Sequence, residues 1–160
     1  MKKSGTIFLR FLLFIFGLGV LVLCIMALPA VWRDGPKEFP PAANFVHLIV
    51  IGMYATTIPF YIGLFKTFKL LNYIDKNIAF SELSVKALKV IKICGTIISI
   101  FYVLGVPLLF PIADYDDAPG LILMGGAVAC APVAISVFAA VLQKLLQNAI
   151  NIKKENDLTV

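Results

Sequence analysis

The sequence predicts an all-α integral membrane protein, a four-helix bundle whose two ends lie on the cytoplasmic side together with helical extensions. Three observations lead to this class. Four windows of about twenty residues, the length that crosses a bilayer core, carry almost no charge. Only 14% of the 160 residues are charged while 61% are hydrophobic, giving a mean hydropathy of +0.97; a soluble domain carries about 25% charged residues. Finally, twelve of the fourteen Lys and Arg residues fall on one side of the implied topology. The length fits one domain.

The first window is Phe11–Val31, with no charged residue, and the second is Phe45–Phe65, which contains only His47. The third and fourth, Ile93–Ile112 and Leu121–Leu142, are again uncharged. Lipid offers no hydrogen-bond partner to open backbone, so spanning segments are helices or closed barrels. These windows lack strict alternation and are about twice as long as a barrel strand, so helices are expected. Lys2, Lys3 and Arg10 form a basic leader ahead of the first window. A cleaved signal peptide is not expected there, because the apolar run is too long and lacks small residues at the −3 and −1 positions.

Orientation follows from the basic residues. Lys2, Lys3 and Arg10 precede span one; Lys66, Lys69, Lys76, Lys86, Lys89 and Lys92 lie between spans two and three; Lys144, Lys153 and Lys154 follow span four. Arg33 and Lys37 are alone on the other side. Excess Lys and Arg keeps short loops in the cytoplasm, which places both termini on the cytoplasmic side of the membrane. Asp34, Glu38, Asp114, Asp116 and Asp117 then fall outside. The pI near 9.2 is thus topological, and direct nucleic-acid binding is not needed to explain it. Trp32, Phe110 and Tyr115 mark the outer interface, and Phe65, Phe68 and Tyr73 the inner one.

The first outer loop, Arg33 to Ala43, contains Gly35, Pro36, Pro40 and Pro41 and reads as extended chain with turns. In the second, Asp117 is placed to cap the fourth helix and Pro119 to enter its first turn. The inner hairpin, 66–92, is more structured. Phe68, Leu71, Ile74 and Ile78 keep helical spacing beyond span two, and Asn77 to Phe80 breaks that helix. Ser81 reads as an N-cap with Glu82 in the first turn of a helix entering span three. Glu82 and Lys86 stand at i,i+4 spacing for an ion pair. Lys86, Lys89 and Lys92 form a basic stripe suited to anionic lipid headgroups or to a protein partner. In the tail, 143–160, Leu142, Leu145, Leu146, Ala149 and Ile150 extend an apolar stripe, with Gln143, Lys144, Gln147, Asn148 and Asn151 facing away from it. The closing Asp-Leu-Thr-Val suits capture by a partner groove.

Within the spans, chemistry is sparse. His47 is the only ionisable group and lies near the outer interface. Pro59, Pro107, Pro111 and Pro132 interrupt or kink helices, a feature shared by simple kinks and by broken-helix transport sites. Gly125, Gly126, Ala129 and Cys130 give small-xxx-small spacing, which allows packing within the chain or in a homo-oligomer. Cys24, Cys94 and Cys130 lie far apart in apolar runs and read as buried structural thiols rather than a disulfide or metal set. No metalloprotease, nucleophile-elbow or phosphate-loop signature occurs, so no enzyme activity, cofactor or metal is expected.

The stretch Ala79-Phe-Ser-Glu-Leu-Ser-Val-Lys-Ala-Leu-Lys-Val-Ile-Lys-Ile-Cys94 and the ending Lys154-Glu-Asn-Asp-Leu-Thr-Val160 resemble the YoaS-like family of small bacterial membrane proteins, as does the four-span layout. Glu155-Asn156-Asp157-Leu158-Thr159 is the most specific part. The family is a domain of unknown function, so the resemblance implies a fold and no established activity. Its members are often encoded beside a small helix-turn-helix regulator, which implies a membrane partner or inhibitor of such a regulator. Two functional readings follow. One is an anchor, sensor or inhibitor acting on a cytoplasmic regulator through Ser81, Glu82, Lys86, Lys89, Glu155, Asn156, Asp157 and Leu158. The other is a small transporter or channel component.

Overall fold

The computed structural model describes residues 3–159 and, within them, is helical with no strand. Lys2 of the basic leader and the terminal Val160 lie outside the described residues, as does the side chain of Lys3. The chain forms α1 (Lys3–Val22), a π-helical turn (Leu23–Ala27), α2 (Leu28–Glu38), a 3-10 turn (Pro40–Ala42) and α3 (Ala43–Asp75). It continues as α4 (Glu82–Gly105), a 3-10 segment (Val106–Leu109), α5 (Phe110–Asp116) and α6 (Gly120–Leu158). Four helical stretches are long and apolar enough to cross a membrane: Ser4–Glu38, Pro40–Asp75, Glu82–Asp116 and Gly120–Leu158.

Local chemistry explains where these rods bend. Leu28 N–H reaches back to the Leu23 carbonyl, and Pro29, next in that register for the Cys24 carbonyl, has no N–H to give. The wide π turn therefore leaves Cys24 without its helical donor. Tyr54 on α3 supplies it, donating its hydroxyl to the Cys24 oxygen at 2.8 Å. Pro107 has the same defect, and there the chain tightens into the 3-10 segment Val106–Leu109. Pro59 and Pro132, by contrast, are buried inside unbroken α3 and α6, so the expected interruption at Pro132 does not occur.

Both sharp reversals use an acidic or amide side chain in the left-handed region. Asn77 has φ 59° and follows α3, with Ile78 N–H bonded to the Tyr73 carbonyl and Asn77 N–H to that of Ile74. That is a Schellman closure. Asp117 has φ 51° and ends α5, with Ala118 N–H on the Ala113 carbonyl. Asp117 thus terminates a helix rather than capping the next one; the residue before α6 is Pro119. The first outer segment also differs from expectation. Arg33 to Glu38 stay helical as the end of α2, with Pro36 inside the helix.

The spans pack as an open row rather than a closed bundle. The α1–α2 rod lies on α3, α3 on α4, and α4 on α6, with no packed seam between the first and last spans among the described residues. Ala42, Val46 and Ile112, with Phe39, Phe45, Ile49 and Leu121 around them, form the small core at the acidic end. Most large apolar side chains point outward, among them Phe8, Phe11, Phe14, Ile58, Leu104 and Phe138. Such a surface needs lipid around it. Cys94 is buried as expected, whereas Cys24 is half-buried and Cys130 exposed.

Candidate functional site

The basic ends of the helices gather into one surface, built from α3's last turns, α4's first turns and the length of α6 beyond Leu142. Three contacts set it. Arg10 on α1 donates to Asp75 at 2.7 Å and also to Asn72, clamping the start of α1 to the end of α3. Glu82 accepts from the Gln147 amide at 3.2 Å and pairs with Lys154 at 3.6 Å. Gln147 also donates to Asn151 at 3.2 Å. The start of α4 and the end of α6 are consequently one antiparallel unit outside the apolar windows.

The expected residues occupy this surface unevenly. Ser81 holds the N-cap backbone position (φ −139°, ψ 161°), but its hydroxyl donates back to the Ile78 carbonyl at 2.6 Å and caps no N–H. Glu82 turns to Gln147 and Lys154, so the Glu82–Lys86 pair within α4 does not form. Lys86 and Lys89 are exposed and make no ion pair among the described residues. Glu155, Asn156, Asp157 and Leu158 continue α6 as a free helical end, with Leu158 85% exposed. Their backbone carbonyls close the helix: Thr159 N–H and hydroxyl bond Glu155, and the hydroxyl also bonds Asn156. Glu82 and Lys154 therefore join hairpin to tail, while Lys86, Lys89 and the last turn remain open.

Sequence reasoning missed Gln147, Lys154, Asp75 and Ser84. Ser84 is fully buried, with no hydrogen-bond partner for its hydroxyl among the described residues. The faces of α6 follow expectation only in part: Leu146, Ala149 and Ile150 turn inward and Lys144, Asn148 and Asn151 outward, but four residues depart from it. Gln143 and Gln147 are half-buried against α4, whereas Leu142 and Leu145 are exposed at 53% and 60%. The reason is the solvent. At a bilayer edge apolar side chains satisfy themselves in lipid, and packing between helices favours polar and small groups. A run of amides spaced at three and four residues was the signal available.

Two cavities accompany this surface. One, of about 460 Å³, opens between α3, α4 and α6 at the acidic half, walled by Ile49, Met53, Tyr102, Leu109, Met124 and Val128 and by no charged residue. The other is a polar cleft at the basic end between α4 and α6. His47 joins neither and stacks on Trp32, ring centroids 4.1 Å apart. Among the described residues, no group of three His, Cys, Asp or Glu side chains is placed to hold a metal.

Comparison with known proteins agrees with the layout. A family described as "Protein of unknown function (DUF2975)" matches residues 30–160, from α2 to the end of the chain. The chain is 52% identical over 160 residues to the "Uncharacterized membrane protein YoaS" of Bacillus subtilis (strain 168), covering 100% of both chains. The resemblance carried by Ala79–Cys94 and Lys154–Val160 thus extends over the full length. No solved structure matches significantly.

Proposed function

The chain belongs to the DUF2975 family of membrane proteins, and on that premise we propose that it is a membrane-anchored regulatory partner acting through its basic-end surface. In this reading both termini are cytoplasmic, as the distribution of Lys and Arg dictates. The row of spans holds the α4–α6 unit at the membrane, and a cytoplasmic protein, by analogy a small helix-turn-helix regulator, docks on it. The Glu82 bridge to Gln147 and Lys154 carries the argument. It joins two segments far apart in sequence into one surface that presents Lys86, Lys89 and the free turn Glu155–Leu158 together. No catalytic step is assigned to it.

The test is transcriptional and structural at once. Removing Glu155–Val160, or changing Lys86→Glu with Lys89→Glu, alters the transcripts under the partner's control while membrane insertion stays normal. A transcriptome identical to wild type in both variants sinks the reading. The apolar cavity between α3, α4 and α6 favours one competitor, a carrier of apolar cargo, since its wall has no charged side chain to replace water around an ion. Proteoliposome flux of apolar solutes above that of empty vesicles would favour that competitor.

A further inference from the structure

The polar cleft at the basic end has a volume of about 360 Å³ and is lined by Lys92, Ala140, Gln143, Lys144, Gln147 and Asn148. We propose that it binds the phosphate of an anionic phospholipid headgroup. Its electrostatics are unbalanced in one direction. Neither Lys92 nor Lys144 has an ion-pair partner among the described residues. Glu82, the acid that Gln147 of the cleft wall touches, is already held by Lys154. Gln147 spends its N–H groups on Glu82 and Asn151, which leaves the Gln143 and Asn148 amides as the neutral donors facing the cleft. Two ammonium point charges with amide donors between them match a tetrahedral anion and lack the planar fork that favours carboxylates.

Position selects the lipid over the free ion. Lys92 immediately precedes the uncharged window that starts at Ile93, and Lys144 lies two residues beyond the one that ends at Leu142. The cleft thus sits at the depth where phosphates of one leaflet lie, while the next turns of both helices towards the apolar windows expose Ile93, Ile97, Val137 and Val141 for acyl chains. Lys92 is half-buried and lines the cleft, a setting that suits a lysine reaching from apolar surface to an interface. Close below, Thr96 and Ser136 hydroxyls meet at 2.7 Å and both bond the Lys92 carbonyl, which fixes the backbone that carries the lysine. Lys86 and Lys89, the other members of the basic stripe, do not line the cleft.

The experiment uses the full chain, purified in detergent and titrated with phosphatidylglycerol, with phosphatidylcholine and with inorganic phosphate, bound lipid being counted by native mass spectrometry. Wild type retains phosphatidylglycerol over phosphatidylcholine. Lys92→Gln with Lys144→Gln weakens that retention about thirtyfold, from ~1 kcal/mol per lysine, while Lys66→Gln with Lys69→Gln, at the same end but outside the cleft, leaves it at the wild-type value. Lys144→Gln alone, at an exposed position, weakens it about fivefold and keeps the test decisive if the double variant misfolds. Equal losses in the two lysine pairs would show diffuse surface charge and overturn the proposal. So would an unchanged Lys144→Gln, or binding of inorganic phosphate without retention of phosphatidylglycerol.

Discussion

Pro29 leaves the Cys24 carbonyl without a donor in the middle of a lipid-facing rod, and the Tyr54 hydroxyl restores one from the neighbouring helix. Sequence reasoning names Pro59, Pro107, Pro111 and Pro132 as kinks and passes over Pro29. The consequence of Pro29 is not legible there, because the repair at Cys24 comes from a residue thirty positions away. Tyr54→Phe is expected to destabilise the chain by about 0.6 to 1.7 kcal/mol, the range of hydrogen bonds between membrane helices. In a Pro29→Ala background, where an N–H is regained, the loss shrinks. Steric-trap unfolding of the four variants measures the cycle, and equal losses in both backgrounds would contradict the assignment. Arg10 is read from sequence as a topological charge only. Its bond to Asp75 makes it a clamp as well, on a pair that is partly solvated. Arg10→Gln should lower by about 1 kcal/mol the free energy holding α1 to α3, seen as reduced crosslinking between cysteines placed on those two helices.

Helix against helix, α4 meets the backbone of α6 at Gly95. A Cβ there would stand 3.2–3.3 Å from Ser136 Cβ, Cα and N, two of them backbone atoms that cannot step aside. Gly95→Val is therefore expected to cost about 1–3 kcal/mol. Gly126→Ala, which meets open space, should change nothing in the same thermal assay. Gly125 lies between these cases, since its added carbon would meet the flexible end of Leu109. The small-xxx-small spacing thus divides: Gly125 and Ala129 serve contacts inside the chain, while Gly126 and Cys130 face outward. Spacing alone gives the stripe and not its rotation. The rotation of α6 depends on α4, and α4's seam is chosen by Gly95, Thr96 and Ser136 rather than by the bulky residues that pattern-reading weighs most. The same asymmetry explains why Gln143 and Gln147 were assigned to the wrong face.

Taken as one object, the molecule is a row of four spans whose first member packs, among the described residues, on the second. All four helical spans were legible, because charge-free length is a strong signal. The order of packing was not, since apolar side chains facing lipid and those facing a neighbour look alike in sequence. An open row melts from its edge. With rising SDS, crosslinks between α1 and α3 should disappear before Cys94, buried in the α3–α4 layer, becomes open to alkylation; simultaneous loss would indicate a closed, cooperative bundle instead. The other edge of the row is α6, unbroken over 39 residues despite Pro132. Sixteen of its residues follow Leu142, and at ~1.5 Å each they make an arm of about 24 Å. A tilt of about 10° in the bilayer swings Leu158 by about 4 Å at the end of such an arm. Tilt follows bilayer thickness, so a change in the membrane reaches the free tip as a sideways displacement, with the Glu82–Lys154 bridge as the tether it pulls against.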